Sequence, residues 1–491
     1  MTGLHRIAHP AGLPIGEEWV PAPSTAEVRF PFSGELVAEA PVGSTELATQ
    51  AVSYAAGLRE QASSLPSHVR RAALTEAHRA VADRRGEFEQ LLVLETGKPL
   101  VDCRVEVDRT LLTLTTAAEE VARLHGETVP LDLLPSGEGL LGFWVRRPIG
   151  VVVGIAGYNY PLLLASHKLA PALAAGCPVV VKPAPQTPLA TLWLVHLVRE
   201  ALAAAGAPRA LVQLLTGGVD VGVALTTDRR VGAVSFTGSA AVGHQIAKDA
   251  APTKVLLELG SNSALVVAAD ADVAAAADAV VRGGYYASGQ ACISVQRVVV
   301  VDAVRDAFLA ALSARLGEVV VGDPRSPETR VSALIDQRST ERVRSWADAA
   351  VTAGATLVHG GAVREGVMEP TVLLDVPDGQ LAWDEEVFGP VVAVRSVESI
   401  DAAFDLVNRS RYGLHASVFT ASLDTAFRAI DRIETGGVVV NEVPGFRSDV
   451  MPYGGVKDSG VGREGPRFAI EELTVTRMAI IRPSTGARSQ P

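Results

Sequence analysis

From residue 151 to residue 259, short β-rich runs alternate with longer helical ones, and no other feature constrains the chain as much. The β runs are VVVGIAG (151–157), PVVVKP (178–183), ALVQLLTG (210–217), VGAVSFTG (231–238) and KVLLELG (254–260). Nearly continuous apolar strands separated by helices predict an α/β fold: a parallel sheet with helices on both faces. Ligands bind such sheets at the loops that follow the strand C-termini. A second alternating region spans about 261–445, with strands expected at 264–268, 296–301, 391–396 and 436–441. Its helices are expected to start near Asp272, Ala303, Thr340, Ile400 and Asp424. Helical periodicity also covers 45–62, 67–93 and 100–124. Two segments fit neither region. Residues 130–147 read as a hairpin turning at Ser136-Gly137, and 472–484 as an isolated β segment. A lone hairpin is only marginally stable, so both are expected to pair with another subunit in a homodimer or homotetramer.

Composition narrows the function classes. A net charge of −11 argues against a general nucleic-acid binder. The 491 residues can bury a large core without disulfide staples. The three cysteines, Cys103, Cys177 and Cys292, are widely spaced and form no metal-ligand pattern, so no metal site is expected and a reducing cytoplasm fits. The N-terminus lacks the apolar stretch of a signal peptide. The uncharged run 148–167 holds Gly150, Gly154, Gly157, Asn159 and Pro161, which suit a strand and turn better than a membrane span.

Four places carry residue types suited to chemistry. Cys103 and Cys177 lie in apolar surroundings and read as core. Cys292 sits in a loop of small residues, ASGQACIS, which can present a thiol to a cleft or simply turn the chain. Glu258 ends an apolar strand; a buried carboxyl there is either a general base with a raised pKa or half of a salt bridge. Asn159, in GYNYP at the end of the 151–157 run, can aim its amide at an oxyanion or serve a turn. In FTGSAAVG, Gly238, Ser239 and Gly243 sit where a strand enters a helix, a place that attracts phosphate. The spacing is not that of the common dinucleotide fingerprint.

These pieces, in this order, resemble the aldehyde dehydrogenase family. LETGKP (94–99), RRPIGVV (146–152), VVVKPAPQTP (179–188), GQACxxxxR (289–297), EEVFGPV (385–391), YGLHASVFT (412–420) and PYGGVKDSGVGREG (452–465) support the likeness, which covers about residues 30–480. The runs CISVQRV and FRSDVMPYGGVKDSG are most similar to the branch of phosphonoacetaldehyde, lactaldehyde and non-phosphorylating glyceraldehyde-phosphate dehydrogenases. The resemblance implies a Rossmann-type dinucleotide-binding domain from 1–128 and 148–259 and a catalytic domain from 260–445. It also implies an oligomerisation arm and tail from 129–147 and 466–491. It implies oxidation of an aldehyde to the acid with NAD or NADP, through a cysteine hemithioacetal and a thioester. Cys292 would be the nucleophile, Asn159 and the Cys292 N–H the oxyanion hole, and Glu258 the base that activates water. Lys182 would meet the adenosine ribose, Gly238, Ser239 and Gly243 the pyrophosphate, and Glu386 and Phe388 the nicotinamide end.

Departures from the family pattern bear on specificity. Pro185 stands where many relatives carry a Glu that repels a 2′-phosphate, so NADP is expected to be tolerated, and a preference for it is open because Lys182 can attract the extra charge. Ser261 replaces a usual Gly after Glu258, and Ala241 a frequent Glu. Tyr160, Leu163, Leu164, Ala291, Ile293 and Phe446 are expected around the pocket, which favours an uncharged or weakly polar aldehyde. Arg447 and Arg109 are the basic candidates for a substrate contact, with surface salt bridges an equal explanation. A CoA-acylating relative would lack Glu258, and a catalytically silent relative would not need the intact set.

Overall fold

A computed structural model describes residues 9–483. The first eight residues, on which the signal-peptide reading partly rests, and 484–491 of the expected tail lie outside the described residues. All five expected strands of the first region form. They make a parallel sheet in the order Lys254–Glu258, Val231–Thr237, Val151–Ile155, Val179–Lys182, Val212–Leu214. The chain steps outward from Val151–Ile155 in one direction and then returns on its other side. The loops after Val151–Ile155 and Val231–Thr237 therefore diverge, which opens a crevice at their C-terminal ends.

A second sheet of seven strands runs Thr356–His359, Thr371–Leu374, Val391–Val397, Arg297–Val301, Ala264–Val267, His415–Phe419, Gly437–Val440. It is parallel except for Thr356–His359. Apolar side chains from its two faces enter two separate cores, one around Phe404 and Trp383, the other around Phe308 and Tyr285. Three of its strands are absent from the sequence reading. His415–Phe419 buries His415 and Ser417, and so lacks a clean apolar run. Thr371–Leu374 and Thr356–His359 are only four residues each.

Other expectations need correction. The 67–93 helix breaks in two, Ser67–Ala82 and Arg85–Thr96. The arm strands are Glu127–Val129 and Leu141–Pro148, with a short 3-10 turn at Pro135–Gly137 between them. The tail strand Thr474–Ile481 is not isolated: it pairs antiparallel with Leu141–Pro148 along its whole length within the same chain. No second subunit is needed to satisfy that edge. Residues 446–465, outside all three expected units, bridge the first two. Gly460–Val461 extends the first sheet beside Lys254–Glu258, and Val456–Lys457 pairs with Tyr412–Gly413. No described helix is long and apolar enough to cross a membrane.

Candidate active site

A cavity of about 620 Å³ opens where the two sheets meet. Asn159, Glu258, Cys292, Glu386, Phe388, Gly238, Ser239, Tyr160 and Arg447 all line it, so the structure gathers residues as far apart in the chain as Asn159 and Arg447. Lys182, Pro185 and Gly243 are not part of its lining. Lys182 is buried at the end of its strand and Pro185 is exposed in the following turn, while Gly243 packs against Leu259.

The loop that carries Cys292 is fixed by its backbone. Ala287, Ser288 and Gly289 run through the left-handed region, with φ of 48°, 56° and 75°. Non-glycine residues in that region cost about 1–3 kcal/mol each, so neighbours must hold them there. Asp102 accepts the Ala287 N–H at 2.9 Å, and the Ser288 hydroxyl accepts from Ser332 N–H at 2.9 Å and donates to its carbonyl at 3.1 Å. Gly289 has no such freedom: a Cβ there would sit 2.1 Å from the Gly389 carbonyl oxygen. Past this bend the Asn159 amide donates to the Gln290 carbonyl at 2.8 Å, which holds its nitrogen beside the cysteine loop. Among the described residues the Cys292 N–H meets no protein acceptor. The thiol Sγ lies 3.2 Å from the Tyr453 hydroxyl. Burial pushes the thiol up to about 11; Tyr453 and Arg447 act against that rise, and Glu386 and Glu258 add to it.

Glu258 is buried, and its Oε2 has no hydrogen-bond partner. Burial first, and then the nearby Glu464 carboxylate, hold its proton affinity well above the usual carboxylate range; Arg447 and Lys168 oppose this. Glu464 itself is held well below that range by Lys168, His167 and Arg447, despite burial. The Lys168 ammonium donates to Glu464 and to the Thr237 hydroxyl (2.6 Å). Two neighbouring buried carboxyls therefore have opposed proton affinities, and Glu258 is the one that lines the cavity.

The basic residues form a network rather than surface salt bridges, which corrects that reading of Arg109 and Arg447. Asp449, fully buried, accepts two hydrogen bonds from Arg109 (2.9 and 2.8 Å) and lies 3.0 Å from His167 Nε2. Arg447, whose side chain is only 6% exposed, lies 3.3 Å from Asp449 and 3.2 Å from Glu464. Its guanidinium stacks 3.6 Å from the centre of the Tyr453 ring. Arg109, Arg447 and the exposed Arg282, which pairs with Glu442 at 2.7 Å, all border the cavity. Among the described residues Nη1 of Arg109 and of Arg447 finds no protein acceptor.

The opposite end fits a dinucleotide. Helix Ala240–Ala250 starts at Ser239, whose side chain makes no capping bond, so the helix N-terminus is open to phosphate. A Cβ on Gly243 would lie 2.2 Å from Leu259, so glycine lets this helix pack tightly on its sheet. The Glu386 carboxylate accepts the Ser261 N–H at 3.0 Å, which keeps it at the cavity edge with an oxygen to spare for ribose hydroxyls. Ser261, the departure from the usual glycine, turns its hydroxyl to Ser263 (3.1 Å). Gln296 pins this segment by accepting the Val387 N–H at 2.8 Å. Phe388 packs edge-on to Tyr158, 5.8 Å between ring centres. Burial lowers the Lys182 ammonium to about 8, opposed by the Asp220 charge nearby. No group of three or more His, Cys, Asp or Glu among the described residues is arranged to hold a metal ion.

Sequence reading missed Tyr453, Asp449, His167, Glu464 and Asp220. Two quoted runs carried a signal: PYGGVKDSGVGREG contains Tyr453 and Glu464, and FRSDVMPYGGVKDSG contains Asp449 and Tyr453.

Comparisons with known proteins identify the family and the fold. The aldehyde dehydrogenase family model matches residues 19–479. The chain is 39% identical over 482 residues to the 3-sulfolactaldehyde dehydrogenase of Priestia aryabhattai, covering 98% of this chain and 100% of that protein. The glyceraldehyde-3-phosphate dehydrogenase of Methanocaldococcus jannaschii, solved with NADP, superimposes with a TM-score of 0.90 at 33% identity, covering 94% of this chain and 100% of that one. The betaine aldehyde dehydrogenase of Staphylococcus aureus, solved with NAD+, gives 0.91 at 30% identity, covering 97% and 95%. The chain belongs to the aldehyde dehydrogenase family. It is an oxidoreductase that oxidises an aldehyde to the carboxylic acid with NAD or NADP.

Proposed function

We propose that the substrate is a small aldehyde bearing an anionic group, such as a sulfonate, and that Cys292, Asn159 and Glu258 carry the chemistry. The carrying observation is that Arg109 and Arg447 both border the cavity that holds Cys292, each with a guanidinium nitrogen to spare. Anions bind best to such charge-assisted donors. The uncharged aldehyde favoured by sequence is set aside on that ground. The sulfonate named in one relative and the phosphate named in another support the same class.

In this reading the Cys292 sulfur, once deprotonated, adds to the carbonyl carbon. The oxyanion of the hemithioacetal is met by the Asn159 amide and the Cys292 N–H. The nicotinamide cofactor, when bound, supplies the hydride acceptor that turns hemithioacetal into thioester. Glu258 then takes a proton from water, whose oxygen attacks the thioester carbon, and the C–S bond breaks to release the acid. Lys182, Gly238, Ser239, Gly243, Glu386 and Phe388 hold the dinucleotide, and Tyr160 shapes the substrate end. Pro185 offers no side-chain acceptor to a ribose 2′-hydroxyl and no charge against a 2′-phosphate, which supports use of NADP as well as NAD. Asp220 beside Lys182 limits how far NADP is favoured.

The dinucleotide unit (1–128 and 148–259), the catalytic unit (260–445) and the arm and tail (129–147 and 466–491) are the proposed division of labour. A homodimer or homotetramer is supported by two unpaired sheet edges, Gly437–Val440 and the outer edge of Thr474–Ile481, where Met478, Ile480 and Ile481 are exposed. Free thiols at all three cysteines support a cytoplasmic location.

The test compares 3-sulfolactaldehyde with lactaldehyde, which differs only in lacking the sulfonate. A higher kcat/KM for the sulfonated substrate is expected; equal values, or a preference for lactaldehyde, would remove the anionic-substrate proposal.

A further inference from the structure

We propose that Tyr453 is a further catalytic residue: its phenolic hydroxyl donates a hydrogen bond to the Cys292 sulfur and stabilises the thiolate that attacks the aldehyde. The proposal rests on the reading of Cys292 as the nucleophile.

The site is hostile to a thiolate. The titratable and charged groups that face the sulfur are Glu258, Glu386, Tyr286, Tyr453 and Arg447. Both carboxyls disfavour negative sulfur, and burial disfavours it further. Arg447 supplies the positive charge, and Tyr453 the hydroxyl that reaches the thiol, 3.2 Å away. The ring is buried and held in place: Tyr453 exchanges two backbone hydrogen bonds with Glu464, at 3.1 and 2.7 Å. On one face lies the Arg447 guanidinium, 3.6 Å from the ring centre. His415 meets the ring at a tilt, with centres 5.1 Å apart. Burial lowers the His415 imidazole to about 4, so it is neutral and adds no charge. The cation acts on the sulfur by its own charge and also through the phenol it covers. A cation over the face of a phenol polarises its O–H and makes it a better donor. This arrangement stabilises the thiolate without pressing a guanidinium against it. A directly paired cation would lower the thiol pKa further, but also its nucleophilicity. Tyr453 keeps its own proton throughout, because burial and the neighbouring Cys292 and Glu258 hold its pKa well above the usual phenol value.

The experiment uses Tyr453→Phe in the full chain, which keeps the ring and removes only the hydroxyl. The rate of Cys292 alkylation by iodoacetamide is measured against pH, with Cys292→Ala as the background for the buried Cys103 and Cys177. Hydrogen bonds to charged groups predict that the midpoint of the profile rises by about one to two pH units. Alkylation below the midpoint then slows about 10- to 100-fold, with thermal unfolding unchanged. The kcat/KM of the variant falls at neutral pH and approaches wild type as pH rises. If the Phe variant does not fold, 3-fluorotyrosine at position 453 gives the opposite sign: a stronger donor lowers the alkylation midpoint. An unchanged midpoint in a folded variant overturns the proposal. Failure of the underlying reading is distinct: Cys292→Ser would then retain dehydrogenase activity, whatever the alkylation profile of Tyr453→Phe.

Discussion

Glu258→Gln separates the two halves of the reaction. The carboxyl is buried, and its Oε2 has no partner, so an isosteric amide replaces it without breaking a hydrogen bond at that atom. A positioned general base contributes about 10²–10⁴-fold to its step, which is about 2.7–5.5 kcal/mol of barrier. If Glu258 activates only the water, the variant still forms the thioester. Rapid mixing with aldehyde and cofactor should then give a burst of reduced nicotinamide close to one per site. The steady rate that follows should fall by about 10²–10⁴-fold. The pH profile adds a second signature. Burial and the Glu464 charge hold the Glu258 proton affinity well above the usual carboxylate range. A base works only when deprotonated, so the wild-type rate should rise with pH through that elevated pKa and be lost below it. The Gln variant should lack this rising limb. A steady rate equal to wild type would refute the assignment. Loss of the burst itself would place Glu258 at the thiol instead of at the water.

Three further outcomes are expected. Arg109→Met should lower kcat/KM for a sulfonated aldehyde by about 10- to 100-fold, the worth of a charge-assisted hydrogen bond, and leave lactaldehyde nearly unaffected in steady-state assays. Pro185→Glu should lower the NADP+ to NAD+ ratio of kcat/KM by about tenfold or more, because a carboxylate there meets the 2′-phosphate. Glu106→Ala should cost about 3–5 kcal/mol in urea unfolding, since it leaves the ammonium of Lys98, itself fully buried, without its partner. The same substitution strips the acceptor that caps the N–H groups of Leu162 and Leu163 at the start of the helix behind Asn159.

The alternation of strands and helices was legible because fully buried parallel strands are written as unbroken apolar runs, as in VVVGI and VVVK. His415–Phe419 escaped notice for the converse reason, since it buries polar side chains that only tertiary partners satisfy: His415 bonds the Pro444 carbonyl at 3.0 Å. Tail pairing was misread because the exposed residues of Thr474–Ile481 record neither their partner strand nor its chain. Cys292, Glu258 and Asn159 each had a bland alternative, and their order within the family's motifs favours the catalytic reading that we propose. Lys168, His167, Asp449 and Glu464 are out of reach of any spacing rule. They come from one helix and one long loop about 280 positions apart, and their meaning lies wholly in their contact.

That contact also sets the scale of discrimination. Arg109, Arg447 and Lys168 face Asp449 and Glu464, three cations against two carboxylates, and burial with the Glu464 charge raises the proton affinity of Glu258 beside them. Unpaired buried charges cost several kcal/mol each, so guanidiniums waiting for a substrate need internal partners. The two carboxylates supply them and fix both arginines in place before substrate arrives. Across these five groups one positive charge remains in excess, which an anionic aldehyde neutralises. A neutral aldehyde strands no bare cation, because each arginine keeps its carboxylate. It forgoes an attraction and suffers no desolvated charge. The penalty for lacking the anion is therefore the worth of one or two charge-assisted hydrogen bonds, about 10- to 100-fold for the first. It falls short of the 10⁴–10⁵-fold rejection found where a site leaves its polar groups unpaired. An exclusion of lactaldehyde on that larger scale would mean that the carboxylates do not hold the arginines in this way.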